Sequence, residues 1–269
     1  MSVNDPEWDD EVDVVCTDTG LAAMATAISA TEEDGEVFLA DPSRAPRHGW
    51  FGLVRPDGEV DREDDETAAY LAELTADLDL TSLSRQDAAL PVRRAGAVVP
   101  VRRRPIPAFE GRRLRDWAAR CIPSPTGYLY TQVTDWTSTT MDCGDGELFK
   151  VLDIGAVDVG DDPIGAVTDW LAGEAQDRGL HGVEVTRFEH LVFDEGVVAG
   201  AVFSTPDGPL AVRARHGVLM GPGTAVTAEA SADSAAAGHG VRVALVGKEA
   251  SRFGRVELLT ADAASDPEA

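Results

Sequence analysis

VDVVCTDTGLAAM, residues 12–24, is the stretch of sequence that decides how this chain folds. Its first six residues form a short apolar run rich in β-branched side chains, which predicts a strand, and the polar residues 18–20 end that run. The small-residue stretch at 21–30 then predicts a helix, and EVFLAD, residues 36–41, predicts a second strand. Residues 1–41 therefore predict one β-α-β unit of an α/β protein with a Rossmann-like, mostly parallel sheet.

The turn between the first strand and the helix is a candidate nucleotide site. In a dinucleotide-binding turn, glycines allow backbone N–H groups at a helix start to approach a pyrophosphate. Aligned with G-x-G-x-x-G, the chain has Asp18 at the first glycine, Gly20 at the second and Ala23 at the third. Asp41 follows Gly20 by 21 residues, the position of an acid that binds an adenosine ribose. Asp18 departs from the pattern, because a carboxylate at the mouth of a phosphate site repels the ligand.

The second half of the chain predicts a helix and an antiparallel meander. Asp162 is placed to cap a helix over residues 163–178, and Gly179 follows its end. Strand-like runs at 183–193, 197–205 and 210–220 are joined by DEG and PDGP, which favour tight turns. Residues 241–260 predict two last strands.

An Arg-rich region separates these parts. Between residues 91 and 120 only two acidic residues accompany nine arginines, at positions 93, 94, 102, 103, 104, 112, 113, 115 and 120. These arginines are suited to an anionic ligand or an acidic partner, and the alternative is neutralisation by the chain's own carboxylates. We expect a single domain over 1–269: a dinucleotide unit (1–41), an Arg-rich insertion (42–150), a helix plus meander (151–223), and a linker, strands and tail (224–269).

Composition excludes several classes of function. Acidic residues outnumber basic ones by 48 to 23, and the net charge of -25 repels nucleic acids and anionic membranes. No apolar stretch approaches the roughly 20 residues of a membrane span, and the acidic start is unlike a secretory signal, so a cytoplasmic location is expected. The three cysteines and five histidines lack metal-ligand spacing, and no metal is expected. Motifs of serine hydrolases, metalloproteases and P-loop NTPases are absent from the sequence.

VDVVCTDTGLAAMATA, residues 12–27, resembles the D-V-V-V-V-G-x-G-x-x-G-L-A-A-A-like stretch of one flavoprotein family. That family comprises fumarate reductase and succinate dehydrogenase flavoprotein subunits and 3-ketosteroid dehydrogenases. In its members a helix, a strand, a meander and a strand with paired glycines follow in order. Residues 162–223 are similar in this order, and Gly221 and Gly223 lie near the paired glycines.

The resemblance implies an FAD-binding domain, with FAD as the cofactor that is either kept or lost. It assigns cofactor contacts to seven residues: Asp18, Thr19, Gly20, Leu21, Asp41, Gly221 and Gly223. The family's catalytic domain has no counterpart among the 46 residues after Gly223, and PSRAPRHGWFG, residues 42–52, replaces its second glycine-rich segment. Catalytic residues and substrate stay unassigned.

Three functions are therefore open. The first is a truncated, FAD-binding oxidoreductase subunit in a heteromeric redox complex, where a partner subunit supplies the catalytic half. The second is a cofactor-free pseudoenzyme scaffold for protein binding, with Asp18 marking the loss of the nucleotide. The third is a small FAD-dependent oxidoreductase that acts alone.

Overall fold

The computed structural model describes residues 7–44, 65–80, 83, 90–100, 110–133, 138–143, 146–222 and 240–260. The helices in these ranges are α1 (Leu21–Glu32), α2 (Asp65–Leu74), α3 (Glu110–Cys121) and α4 (Pro163–Asp177). The strands are β1 (Asp10–Cys16), β2 (Val37–Pro42), β3 (Val92–Arg94), β4 (Ala97–Val98), β5 (Gly127–Tyr130), β6 (Thr139–Asp142), β7 (Leu148–Val157), β8 (Val183–Val185), β9 (Arg187–Asp194), β10 (Val197–Thr205), β11 (Gly208–Met220), β12 (Val241–Gly247) and β13 (Phe253–Thr260).

These strands form one mixed sheet. Its main path runs β4-β6-β7-β12-β13-β5-β11-β1-β2-β8, while β10 pairs with β11 and β9, and β3 pairs with β13. The predicted β1-α1-β2 unit is present, and β1 is parallel to both β2 and β11. This confirms the α/β class. The mostly parallel arrangement holds for the block β8-β2-β1-β11, whereas the path from β11 to β4 is antiparallel.

The antiparallel meander is confirmed in β9, β10 and β11. The run predicted at 183–193 is divided at Thr186, whose N–H donates to the Ser204 carbonyl. Before this residue, β8 leaves the meander and pairs with β2, where Ala40 lies opposite Val183. One apolar run thus forms two strands with different neighbours: β8 pairs with β2, and β9 pairs with β10.

Two apolar clusters cover opposite faces of the sheet. Along β1, Val14 and Cys16 belong to the cluster under α1 and α4, while Val12 and Val15 belong to the cluster beneath α2, α3 and the meander. Helix α1 is buried at every position from Leu21 to Ala30. Small side chains make this possible, because they let α1 pack closely against both the sheet and α4.

The ends of α4 match their sequence signals. The Asp162 carboxylate accepts a hydrogen bond from the Gly165 N–H at 3.0 Å, and Pro163 occupies the first turn. Gly179 follows the helix with φ +70°, a conformation that costs glycine least. The helix predicted over 163–178 is thereby confirmed to within one residue.

The strands predicted at 241–260 are confirmed as β12 and β13, and they lie inside the sheet. Strand β13 is placed between β12 and β5, and β5 comes from the Arg-rich region. The buried Glu257 of β13 accepts hydrogen bonds from Arg93 and Arg255, with a closest Arg93 contact of 2.5 Å. Two arginines of this chain are thus neutralised internally.

Candidate functional site

A cavity of about 370 Å³ lies at the carboxyl ends of β1, β2 and β11, and we call it the turn cavity. Ligands of open α/β sheets bind at this edge of the strands. The predicted residues that line the cavity are Asp18, Thr19, Gly20, Leu21, Asp41 and Gly221. Gly223 lies outside the described residues.

The Asp18 carboxylate is turned inward at the start of α1. Its Oδ1 accepts a hydrogen bond from the Gly20 N–H at 2.7 Å, and Asp18 is only 6% exposed. Gly20 is the N-cap residue of α1, and as a glycine it has no side chain of its own to cap the helix. In a dinucleotide-binding turn such an N–H faces the bound anion. The sequence predicted Asp18 at the mouth of the site, whereas the structure buries it within the turn.

Two glycines make room for this carboxylate. A Cβ added to Gly20 would lie 2.9 Å from Asp18 Oδ1, and a Cβ added to Gly221 would overlap the same carboxylate. The presence of glycine at position 221 is therefore explained without any cofactor, because a glycine leaves space for the Asp18 side chain. The predicted motif residues Asp18, Gly20 and Gly221 are therefore close together, and their contacts are with one another.

Asp41 lies on the outer side of the turn cavity. Its side chain is exposed, in contrast with that of Asp18. A Cβ added to Gly182 would lie 2.9 Å from the Asp41 Cβ and 3.2 Å from the Thr19 Cγ2, so the segment before β8 passes close to both. Asp41 is available to accept hydrogen bonds from a hydroxyl or an amine.

The charge of the turn cavity is negative. Asp18 and Asp41 are its acidic lining residues, and no arginine, lysine or histidine from the described part of the chain lines it. Carboxylates attract cations and hydrogen-bond donors, and they disfavour a pyrophosphate. The lining therefore fits a neutral or donor-rich group better than an anion.

One wall of the turn cavity was not predicted from the sequence. Pro125, Thr126 and Gly127 from the loop after α3 line it, as does Thr168 of α4. The Thr126 hydroxyl donates to the Val256 carbonyl at 3.0 Å, which fixes the loop on β13. The composition of SPTG predicts a turn, but the position of that turn depends on a contact between residues 130 positions apart.

Reactive side chains near the turn cavity are masked by burial. Burial raises the pKa of the Cys16 thiol, and the negative charge of Asp18 raises it further. Burial likewise raises the pKa of Cys121. Both thiols stay protonated at neutral pH and are poor nucleophiles. Among the residues with described positions, no group of three or more His, Cys, Asp and Glu side chains is arranged to hold a metal ion.

None of the four helices in the described ranges is both long and apolar enough to span a lipid bilayer. Comparison with known proteins finds no family whose sequence model matches this chain. No curated protein matches its sequence either.

Solved structures of two ketosteroid dehydrogenases are similar to part of this chain. One is the 3-ketosteroid-Δ4-(5α)-dehydrogenase of Rhodococcus jostii RHA1, with 18% identity, a TM-score of 0.34 and 81% of this chain covered. The other is the 3-ketosteroid Δ1-dehydrogenase of Sterolibacterium denitrificans, with 13% identity, a TM-score of 0.31 and 78% covered. This chain spans 47% of the length of each. The resemblance expected from the sequence is thus found as a weak and partial likeness of structure.

Proposed function

We propose that this chain is a cofactor-free scaffold that binds another protein, built on a nucleotide-binding type of turn that its own Asp18 fills. The observation that carries this proposal is the 2.7 Å hydrogen bond from the Gly20 N–H to Asp18 Oδ1. The carboxylate takes the place of an anionic ligand at the start of α1. Its negative charge interacts favourably with the positive end of the helix dipole, as the charge of that ligand would.

Binding a pyrophosphate here carries three penalties. The Gly20 N–H must leave Asp18, the buried carboxylate then loses that hydrogen bond, and the phosphate must approach a like charge. Asp41 adds a second negative charge to the same lining. These penalties support loss of the nucleotide.

Helix α3 is the surface that we assign to the partner. One side of this helix is buried through Trp117, Ala118 and Cys121. Arg112 and Arg115 of the same helix are exposed to solvent. In the described structure Arg112 has no carboxylate partner, and Arg115 lies 3.9 Å from Asp77, both groups being largely exposed. A basic surface on a chain with net charge -25 fits an acidic patch on a partner protein.

A second candidate is an FAD-binding redox subunit. It is supported by the convergence of Thr19, Gly20, Leu21, Asp41 and Gly221 on one cavity at the carboxyl edge of parallel strands. In this function Asp18 rotates away on binding and releases the Gly20 N–H. A partner subunit then supplies the catalytic half.

Flavin content distinguishes the two candidates. We expect the purified protein to lack the flavin absorption bands near roughly 370 and 450 nm and to bind no added FAD. Asp18→Gly should gain measurable FAD binding, whereas Asp161→Gly, which removes one exposed charge elsewhere, should not. Stoichiometric flavin in the native protein would overturn the scaffold proposal. If Asp18→Gly gains nothing, then Asp18 is not what excludes the nucleotide.

The partner surface is tested by charge-matched variants. The protein is purified from its native host as the wild type, as Arg112→Gln/Arg115→Gln and as Arg213→Gln/Arg242→Gln, the last pair lying on strands away from α3. We expect a stoichiometric partner chain to be lost only from the α3 variant. Equal loss from both double variants would mean that bulk charge controls association, and retention by the α3 variant would exclude α3 as the contact.

A further inference from the structure

A second cavity of this acidic protein is lined by three basic residues, and we call it the lysine cavity. The chain has only two lysines, Lys150 and Lys248, and both line this cavity together with Arg252. The pairing of β7 with β12 brings the lysines together, because Lys150 lies opposite Gly247 and Lys248 follows. The lysine cavity shares no lining residue with the turn cavity among those described.

Lys248 lines the lysine cavity, but its ammonium group is already neutralised by Glu147. Lys248 has a side chain that is 4% exposed, and its Nζ lies 3.1 Å from Glu147 Oε1 and 4.9 Å from the centre of the Phe149 ring. Leu152, Leu219 and Leu245 contribute apolar walls. Apolar walls exclude water and strengthen the attraction between the Arg252 guanidinium and an anion.

Arg252 meets neutral groups. Its Nη1 donates to the Tyr70 hydroxyl at 3.3 Å, and its guanidinium lies 5.7 Å from the centre of that ring. Within the described structure no carboxylate lies in ion-pair contact with Arg252. A guanidinium has five N–H donors, so capacity for an oxyanion remains.

Thr26 provides an independent observation. It lines the lysine cavity from α1, it is 1% exposed, and its hydroxyl has no hydrogen-bond partner among the described atoms. Two other helical threonines donate to the carbonyl one turn earlier, Thr31 to Ala27 and Thr168 to Ile164. A buried hydroxyl without a partner marks a place where a polar ligand or water completes the structure.

The size of the lysine cavity limits the ligand. Its volume is about 80 Å³, more than the roughly 10 to 15 Å³ that a cavity needs to hold one water and less than the roughly 150 Å³ of a cavity that holds benzene. A flavin or a nucleotide does not fit. From the Arg252 guanidinium, the unsatisfied Thr26 hydroxyl and the volume, we propose that the lysine cavity binds a small oxyanion, the size of inorganic phosphate or a short carboxylate.

The experiment titrates the folded full-length chain with inorganic phosphate and, separately, with acetate at constant ionic strength, and follows amide NMR shifts. We expect saturable shifts at residues around β7, β12 and the 248–252 turn. The tighter of the two arms identifies the oxyanion. Arg252→Met should weaken binding by about tenfold or more, while Arg242→Met, an exposed arginine of β12 outside the cavity, should leave it unchanged.

Thr26→Val keeps the shape of the side chain and removes the hydroxyl. Because the hydroxyl is unsatisfied in the free protein, this variant should remain folded with unchanged or higher thermal stability, yet bind the oxyanion more weakly. Absence of saturable shifts with both anions would overturn the proposal. So would equal binding by wild type and Arg252→Met when both are shown to be folded by their unfolding midpoints.

Discussion

The carboxylate of Asp18 lies against the backbone of Gly221, so that a Cβ at residue 221 would be 2.9 Å from Asp18 Cγ and would overlap the nearer oxygen. The residues that follow the paired strands β1 and β11 are thus in close contact through a charged side chain that packs over a glycine. In a nucleotide-binding turn, glycines let the backbone come close to a negatively charged phosphate. Here Gly20 and Gly221 let the backbone come close to the negatively charged Asp18, which explains why the sequence resembles such a turn.

Gly221→Ala should destabilise the protein by about 1 to 3 kcal/mol, since the new methyl group must displace the Asp18 carboxylate. The measurement is the free energy of unfolding in urea. In the double variant with Asp18→Gly the cost should fall, because the overlap is gone. Gly173→Ala is the matched control: nothing lies within 4 Å of a Cβ at this exposed position of α4, and a gain of about 0.5 to 1 kcal/mol is expected there. Strict additivity of the first two changes would contradict the packing explanation.

Glu257→Gln should be among the most destabilising single changes. Glu257 is fully buried, and its carboxylate accepts hydrogen bonds from Arg93 and Arg255. Removal of the negative charge leaves two partly buried guanidinium groups uncompensated, at a cost of about 3 to 5 kcal/mol. Glu36→Gln breaks an exposed contact with Arg215 and should shift the urea midpoint little. Similar losses from both changes would show that burial of the ion group does not determine its strength.

The acid side of the stability curve should depend on Glu147. Burial by itself raises the pKa of this carboxyl, but Lys248 and Arg120 lower it more, so the net shift is below the usual value of 4.5. A folded-state pKa that is lowered adds stability above the unfolded value, and this stability is lost as the pH falls through the folded value.

The stability advantage of wild type over Glu147→Gln should therefore be constant well above pH 4.5 and shrink as the pH falls below 4.5. Urea unfolding at a series of pH values measures it. Lys248→Met should remove most of the same pH dependence, because Lys248 is the nearest cation to Glu147 in the described structure, at 3.1 Å. A pH-independent difference would argue against the ion pair.

Asp162→Ala should lower stability by about 1 kcal/mol through loss of the α4 cap. The neighbouring Asp161 is exposed and makes no capping bond to α4, so Asp161→Ala should have a smaller effect. Thermal unfolding of the two variants side by side separates the hydrogen bond from the charge. Equal losses would assign the effect to the helix dipole instead of the cap.

Local sequence patterns were sufficient for several elements of the fold. The ends of α4 follow from Asp162, Pro163 and Gly179, each of which acts on its own neighbourhood. The β1-α1-β2 unit follows from the change between a β-branched run and small residues. These signals concern backbone preferences of adjacent residues, and tertiary contacts are not needed to interpret them.

Features that depend on distant pairing were not predictable in this way. The lysine cavity requires the register in which Lys150 lies opposite Gly247, and the wall at Thr126 requires β5 beside β13. The orientation of Asp18 was also missed, because the same sequence permits a side chain directed toward solvent or toward Gly20. The outcome follows from Gly221, which contributes the space and lies more than 200 residues away.

The central position of β13 has a consequence for synthesis on the ribosome. Gly127 of β5 pairs with Arg255 of β13, so one edge of β5 stays unpaired until 128 further residues have been synthesised. At the usual pace of translation this interval is on the order of ten seconds. Trp117, whose indole N–H donates to the Phe253 carbonyl, also lacks that acceptor until then. An open strand edge invites pairing with other nascent chains. The net charge of -25 makes such chains repel one another. This repulsion opposes aggregation through the open edge of β5 until β13 has been synthesised.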